Sequence, residues 1–273
     1  MILLVLSSAL SYGQKLKLKK RPSSALSGSE FSKSVRDTAL SLAQRETIIF
    51  NEIKSGNMPE FYRFLKQIND TVVINDNTQT IRYFVTPDFL AIGSNEDYFY
   101  CPMSPQLAQK VANLLKCSLP TRKISDKIYQ KAAVKMIPVP IPPSPSMITI
   151  PVFEKHNALL NAQRKLLIAK QPLGSLVAGN KKDVVISNKI YNDVGALRVV
   201  IYGWHKSDGK AIQPLYNGHN TIHVDYSHGI RLVQNKVWVD GRRTTIQKVL
   251  ASESLNTLLS DEGTITLAEY PIE

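Results

Sequence analysis

An α+β fold is what this sequence predicts, with helices mainly from the N-terminal half and a mixed or mainly antiparallel sheet in the C-terminal half. Three observations carry that reading. Apolar residues recur at helical spacing through Glu30–Lys54, Pro105–Leu115 and Ile124–Met136. Beyond Asp183 the runs DVVIS, ALRVVIYGWH, HVDYSHGIRLV and KVWVDGRRTTI cluster β-formers and are punctuated by glycine. No internal repeat interrupts this order.

Taken in order, the chain opens on an apolar run, Ile2–Leu10, too short for the roughly 18 residues of a membrane span. Small residues at Ser11 and Gly13 then make residues 1–13 an expected signal peptide, cleaved before Gln14, so the protein is expected to be exported. Residues 14–28 are basic and then serine-rich, the composition of a flexible N-terminus. Residues 29–273 are expected to form one domain.

Within that domain, Ser55-Gly56-Asn57 stops the first helical stretch. Pro59 suits the first turn of a second helix, whose Phe61, Phe64, Leu65 and Ile68 share a face. The runs at Thr71 and Thr80, separated by Asn75-Asp76-Asn77, predict a β-hairpin. Lys123, Lys127, Lys131 and Lys135 recur every four residues and line one helix face. Residues 137–151 hold six of the 15 prolines and read as an extended seam or belt, because proline lacks the amide hydrogen that helix and central strand require. Helices are expected again over Phe153–Ala169 and Gln247–Leu259. Cys101 and Cys117 flank a helical stretch that holds them apart, which favours two free, buried thiols.

Composition bounds the partners. Hydrophobic residues make up 43%, enough for a core, and the formal charge of +12 implies attraction to an anionic polymer or an anionic small-molecule substrate. The charge is scattered and matches no zinc-finger or RNP-type pattern, so no specific nucleic acid is expected as a partner. No transmembrane segment is expected either.

Four of the five histidines fall between Trp204 and Gly229, interleaved with Asp208 and Asp225. Histidine is the side chain that titrates nearest neutrality and, when neutral, ligates metals. On a regular strand His219, Thr221, His223 and Asp225 would share a face, and Gly229 lets the chain bend so that His228 returns to it. His219, His223, Asp225 and His228 therefore form a candidate set for a divalent metal such as Zn, although the spacing matches no established signature. The metal-free reading takes His205, His219 or His228 as general base, oriented by Asp225 or Asp208, with Ser227 or water as nucleophile and Arg231 to stabilise an oxyanion. Lys181 and Lys182 would hold an anionic substrate, and Trp204 and Tyr226 would stack on sugar rings. The blander alternative is that each histidine in half-buried β structure simply bonds to backbone.

Several stretches resemble a family of secreted bacterial proteins with no established activity. They include PEFYRFL at Pro59, PDFLAIGS at Pro87 and LVAGNKKDVV at Leu176, with IYGWHKSDGKAIQPL at Ile201 and DYSHGIRLV at Asp225 the most recognisable. The resemblance implies a single unit and places His205, Asp208, His219, Asp225, Ser227, His228 and Arg231 in its motifs; Asn180 stands where that family carries a histidine. Ser227-His228-Gly229-Ile230-Arg231 also resembles the S-H-G-C-[IV]-R motif of L,D-transpeptidases, but Ile230 follows Gly229 directly and the cysteine nucleophile is missing. Together these readings predict an exported hydrolase-like enzyme with a His/Asp site acting on an anionic cell-envelope or extracellular polymer. The alternative is a non-catalytic secreted binding protein using the same cleft and basic surface.

Overall fold

The computed structural model describes residues 14–74, 76–191 and 194–272; the expected signal peptide lies outside them. The helices and strands run α1 (Gly28–Ser34), α2 (Leu42–Ser55), β1 (Lys66–Ile74), β2 (Asn77–Val85), β3 (Ala91–Gly93), β4 (Tyr98–Tyr100), α3 (Pro105–Leu114), β5 (Cys117–Ser118), α4 (Arg122–Lys131) and β6 (Val134–Lys135). They continue as α5 (Ile150–Leu167), β7 (Val177–Ala178), β8 (Lys182–Val184), β9 (Arg198–His205), β10 (Ala211–Asn220), β11 (His228–Gly229), β12 (Val233–Gln234), β13 (Lys236–Val239), β14 (Arg242–Thr245) and α6 (Ile246–Leu250). The fold class is α+β.

The sheets do not divide by chain half. A six-stranded sheet runs β14-β13-β2-β12-β5 with β1 added on β2, so first-half hairpin strands pair with the last strands of the chain. A four-stranded sheet runs β10-β9-β8-β11. One continuous apolar core joins them, from Phe31 and Tyr62 through Val85 and Val200 to Leu250. Among the described residues, no helix is long and apolar enough to cross a membrane.

Most helices begin at side-chain caps that the sequence supplies. Ser27 and Ser41 form capping boxes with Glu30 and Gln44, and Ser104 and Thr121 cap α3 and α4. The expected second helix is replaced by a single 3-10 turn, Glu60–Arg63, after which β1 begins at Lys66. The apolar residues there match a helical face, but β1 pairs with β2 in unbroken antiparallel register from Lys66↔Val85 to Ile74↔Asn77. Each residue of that ladder gains a cross-strand neighbour, which overrides a weak helical pattern. The helix expected to reach Met136 stops at Lys131, and its lysines do not form one free face: Lys127 Nζ lies 2.9 Å from Asp70 Oδ1 and Lys123 donates to the Thr257 carbonyl. The closing helix likewise ends at Leu250, with a separate 3-10 turn at Asn256–Leu258.

The basic N-terminal segment is docked rather than free. Leu16 is buried and its amide donates to the Arg63 carbonyl, while the Arg21 guanidinium bonds Asn57 and the carbonyls of Ala25 and Leu26. The proline-rich stretch crosses Tyr226, whose hydroxyl bonds both the amide and the carbonyl of Ile141. Cys101 and Cys117 are free and buried.

Candidate functional site

The chemistry-bearing residues gather around β8 and its neighbours. Lys182 pairs with Gly203 of β9 on one side and, in parallel register, with His228 of β11 on the other. Near its end β9 carries two consecutive left-handed residues, Gly203 (φ 107°) and Trp204 (φ 59°). Left-handed backbone is rare for a bulky residue, and here it breaks the strand's alternation. Trp204 joins His156, Tyr226 and Lys182, with ring centroids 6.4 Å from His156 and 6.3 Å from Tyr226, while His205 joins Tyr202 at 5.7 Å. The predicted residues thereby separate into two clusters.

The first cluster opens on a cleft of about 580 Å³ whose lining includes Asp126, Tyr129, Lys135, Tyr202, His205 and Lys210. Asp126 Oδ1 accepts from His205 Nε2 at 2.8 Å and from the Tyr202 hydroxyl at 2.7 Å. Asp126 Oδ2 accepts from no described residue. The buried imidazole stacks on Tyr129 at 4.4 Å, and the Tyr129 hydroxyl is fixed by the Lys206 carbonyl at 2.6 Å. Behind it lies Asp183: a Cβ added to Gly203 would stand 3.6 Å from His205 Nδ1 and 3.7 Å from Asp183 Oδ2. Burial pushes the Asp183 carboxyl up to about 6, against the pull of Arg231 and His205. Asp208 lines the same cleft but is exposed, and its Oδ1 accepts from the Lys210 amide in the β9–β10 turn.

The second cluster holds the other three histidines of the motif. It does not arise from a shared strand face, because β10 ends at Asn220. The His223 amide then donates to the Asn220 carbonyl at 3.2 Å, a turn that folds His223 back to stack on His219 with centroids 3.9 Å apart. The His228 ring lies 6.2 Å from that of His223, fully buried, and neither of its nitrogens bonds a described residue. Burial drives His228 down to about 3, opposed by the Asp225 charge and assisted by Lys182, so it is neutral. His219 is lowered by burial and then by His223. Asp225 Oδ1 is engaged by the Ser227 amide at 2.7 Å, and Ser227 is itself buried, its Oγ bonding no described residue.

These residues do not fit the metal set expected from sequence. Among the described residues, no three histidine, cysteine, aspartate or glutamate side chains are grouped to hold an ion. The geometry explains why. A ligand nitrogen offers its lone pair in the ring plane, about 2.0–2.1 Å from zinc, and two nearly parallel rings stacked at 3.9 Å cannot both aim at one point between them.

Two other expectations are corrected. Lys181 is buried, not a surface contact: its Nζ donates to the Tyr226 carbonyl, and burial pulls it down to about 7 despite Asp225. Arg231 is a core strut, donating from Nη1 to the Thr86 carbonyl at 3.0 Å and from Nη2 to that of Val177 at 2.7 Å, with its guanidinium over Phe89. The guanidinium is thus held in the core by two carbonyls and an aromatic face, and its charge acts on Asp183 behind the first cluster. Lys182 remains half-buried over Trp204, and Tyr226 packs against His156 at 4.8 Å.

Sequence reasoning missed Asp126, Asp183 and Tyr129. Asp126 lies 79 residues before His205, on a helix, in a lysine-rich stretch that reads as an ordinary surface. Only the tertiary pairing of α4 with β9 makes it a partner. No protein-family model, curated protein or solved structure matches this chain.

Proposed function

We propose that this protein is an exported hydrolase-like enzyme acting on an anionic cell-envelope or extracellular polymer, with its acid–base chemistry at the Asp126–His205 pair. The observation that carries the reading is the state of Asp126. One carboxylate oxygen is held by two donors, Tyr202 and His205, while the other is left unbonded by described residues in a cleft of about 580 Å³. A carboxylate fixed at one oxygen and free at the other is oriented to take a proton from water attacking a bound substrate. Tyr202 and His205 act as positioning residues, holding the angle of that carboxylate. Lys135 and Lys210 supply positive charge at the cleft for an anionic substrate. Export is supported by the apolar run Ile2–Leu10 followed by Ser11-Tyr12-Gly13.

Incubation with purified acidic polysaccharide, polyol-phosphate polymer and peptidoglycan, followed by product analysis, tests the proposal. One of them is expected to be cleaved, and Asp126→Asn to lower kcat by about 10²–10⁴-fold with substrate affinity retained. Binding of a polymer with no product from the wild type establishes the non-catalytic binding protein instead. Cleavage unaffected by Asp126→Asn removes this site from the chemistry.

A further inference from the structure

A second cleft, of about 750 Å³, lies between the docked N-terminal segment, the end of α3 and the end of the larger sheet where β12 finishes, β13 starts and β14 finishes. Its lining has two unusual properties. Four of its residues are lysines, Lys15, Lys17, Lys116 and Lys236, against one carboxylate, Glu269. Five more carry side-chain amides: Gln14, Asn113, Gln234, Asn235 and Gln247. Lys15 is engaged over the Phe64 ring at 4.4 Å, but Lys17, Lys116 and Lys236 form no ion pair with a described residue and are exposed.

The amides are pre-set. Gln247 Nε2 donates to Ser118 Oγ at 2.9 Å and to Asn235 Oδ1 at 3.4 Å, and Ser118 Oγ donates to the same Asn235 oxygen at 2.7 Å. That fixes the Asn235 side chain with its NH₂ free of described partners. Gln234 Oε1 is a buried acceptor with no described partner, and such groups are costly to leave unpaired. Lys116 adds a conformational signal. It follows α3 in the left-handed region (φ 56°), its amide bonding Asn113 and its carbonyl accepting from Asn235. Glycine is the usual residue at such a position, so a lysine there puts a cation beside the amides at a cost in backbone strain.

We propose that this cleft binds an acidic saccharide, its amides taking sugar hydroxyls and its three free lysines taking the anionic substituent. Sugar hydroxyls are bound by hydrogen-bonding groups held at fixed positions, and the Asn235 amide nitrogen, fixed through its Oδ1, is such a donor. A volume of about 750 Å³ falls within the usual range for small-ligand sites. Buried Leu16 and Leu115 give the cleft an apolar floor. The inference rests on the proposed function only in taking the captured saccharide to belong to the polymer that is cleaved; binding itself stands alone.

The test is calorimetric titration of the full-length Asp126→Asn protein with trigalacturonate, maltotriose and an oligonucleotide of matching charge. Trigalacturonate is expected to bind, more weakly as salt is added, with the neutral trimer at least about tenfold weaker. Lys116→Gln/Lys236→Gln is expected to weaken trigalacturonate binding by about tenfold or more, with an unchanged circular dichroism spectrum because both side chains are exposed. Asn235→Asp, which swaps a donor for a charge, is expected to weaken it further. Unchanged affinity in these variants, equal binding of maltotriose, tighter binding of the oligonucleotide, or no binding of trigalacturonate overturns the inference. Polymer hydrolysis that persists while trigalacturonate fails to bind removes only this cleft. Binding without hydrolysis removes only the catalytic reading.

Discussion

Gly229 ties the two histidine-bearing regions to the core. A Cβ at this position would lie 2.5 Å from Phe89 Cδ1 and 2.6 Å from Lys181 Cβ, closer than any real side chain tolerates. Phe89 in turn carries the Arg231 guanidinium on its face, and Lys181 reaches the Tyr226 carbonyl. Alanine at Gly229 must therefore displace an aromatic ring and a buried lysine together, and overpacking of this kind costs about 1–3 kcal/mol. Urea denaturation of Gly229→Ala is expected to show a lowered midpoint with an unchanged slope; a midpoint equal to wild type would mean that the site relaxes freely. From the sequence Gly229 reads as a bend that returns His228, whereas the structure needs glycine there for close approach. Its φ is not positive, so the constraint is space rather than backbone conformation. The reversal at Trp204 was not legible at all, because no local rule places a tryptophan in the left-handed region.

At the level of elements, the signals written within a few residues of each other survived folding. Ser104 three residues before Leu107 marked the start of α3, and the cap bond from the Leu107 amide to Ser104 Oγ is there at 3.1 Å. What the sequence could not supply is the partner of that cap. Ser104 also donates from its amide and its hydroxyl to the Glu46 carboxylate of α2, at 2.6 and 2.8 Å. Burial pushes the Glu46 pKa up, and these two bonds pull against it. Ser104→Ala removes the cap and one of the two bonds to Glu46, so a loss of about 1–2 kcal/mol is expected in thermal or urea unfolding. A change below a few tenths would show that neither contact matters. The same division explains the errors. The β1–β2 ladder and the pairing of α4 with β9 join residues far apart in the chain, and they decided both the fate of the expected second helix and the identity of the His205 partner. In β10 the proline at Pro214 is tolerated because the strand lies at the sheet edge, a position that sequence alone does not reveal.

The whole molecule carries an amine, Lys181, that burial makes hard to keep charged. Lys181 is 2% exposed, and burial lowers it from 10.5 to about 7, with Asp225 the strongest opposing charge. Between those two values the unfolded chain binds a proton that the folded protein does not, so the contribution of Lys181 to stability rises with pH across that window. The slope is at most about 1.4 kcal/mol per pH unit, so a gain of about 1–2 kcal/mol is expected between pH 7 and about 8.5. Above that range the opposite sign sets in: Cys117 is pushed up to about 12 and Cys101 is also raised, so the unfolded thiols ionise first and stability is lost as pH rises. The formal charge of +12 contributes a self-repulsion that also falls as pH rises, and a control must separate the two. Lys181→Met provides it, since methionine keeps an unbranched apolar stem of similar volume and leaves the rest of the surface charge unaltered. Removing one member of a set of buried opposite charges is usually destabilising, and Asp225 and Asp88 lose their cation here, so the comparison is between the pH dependences of the two proteins and not their absolute midpoints. Urea midpoints at the two pH values should rise in the wild type and stay nearly level in the variant. Parallel rises in both proteins would assign the whole effect to surface charge and would mean that Lys181 keeps its proton in the folded state.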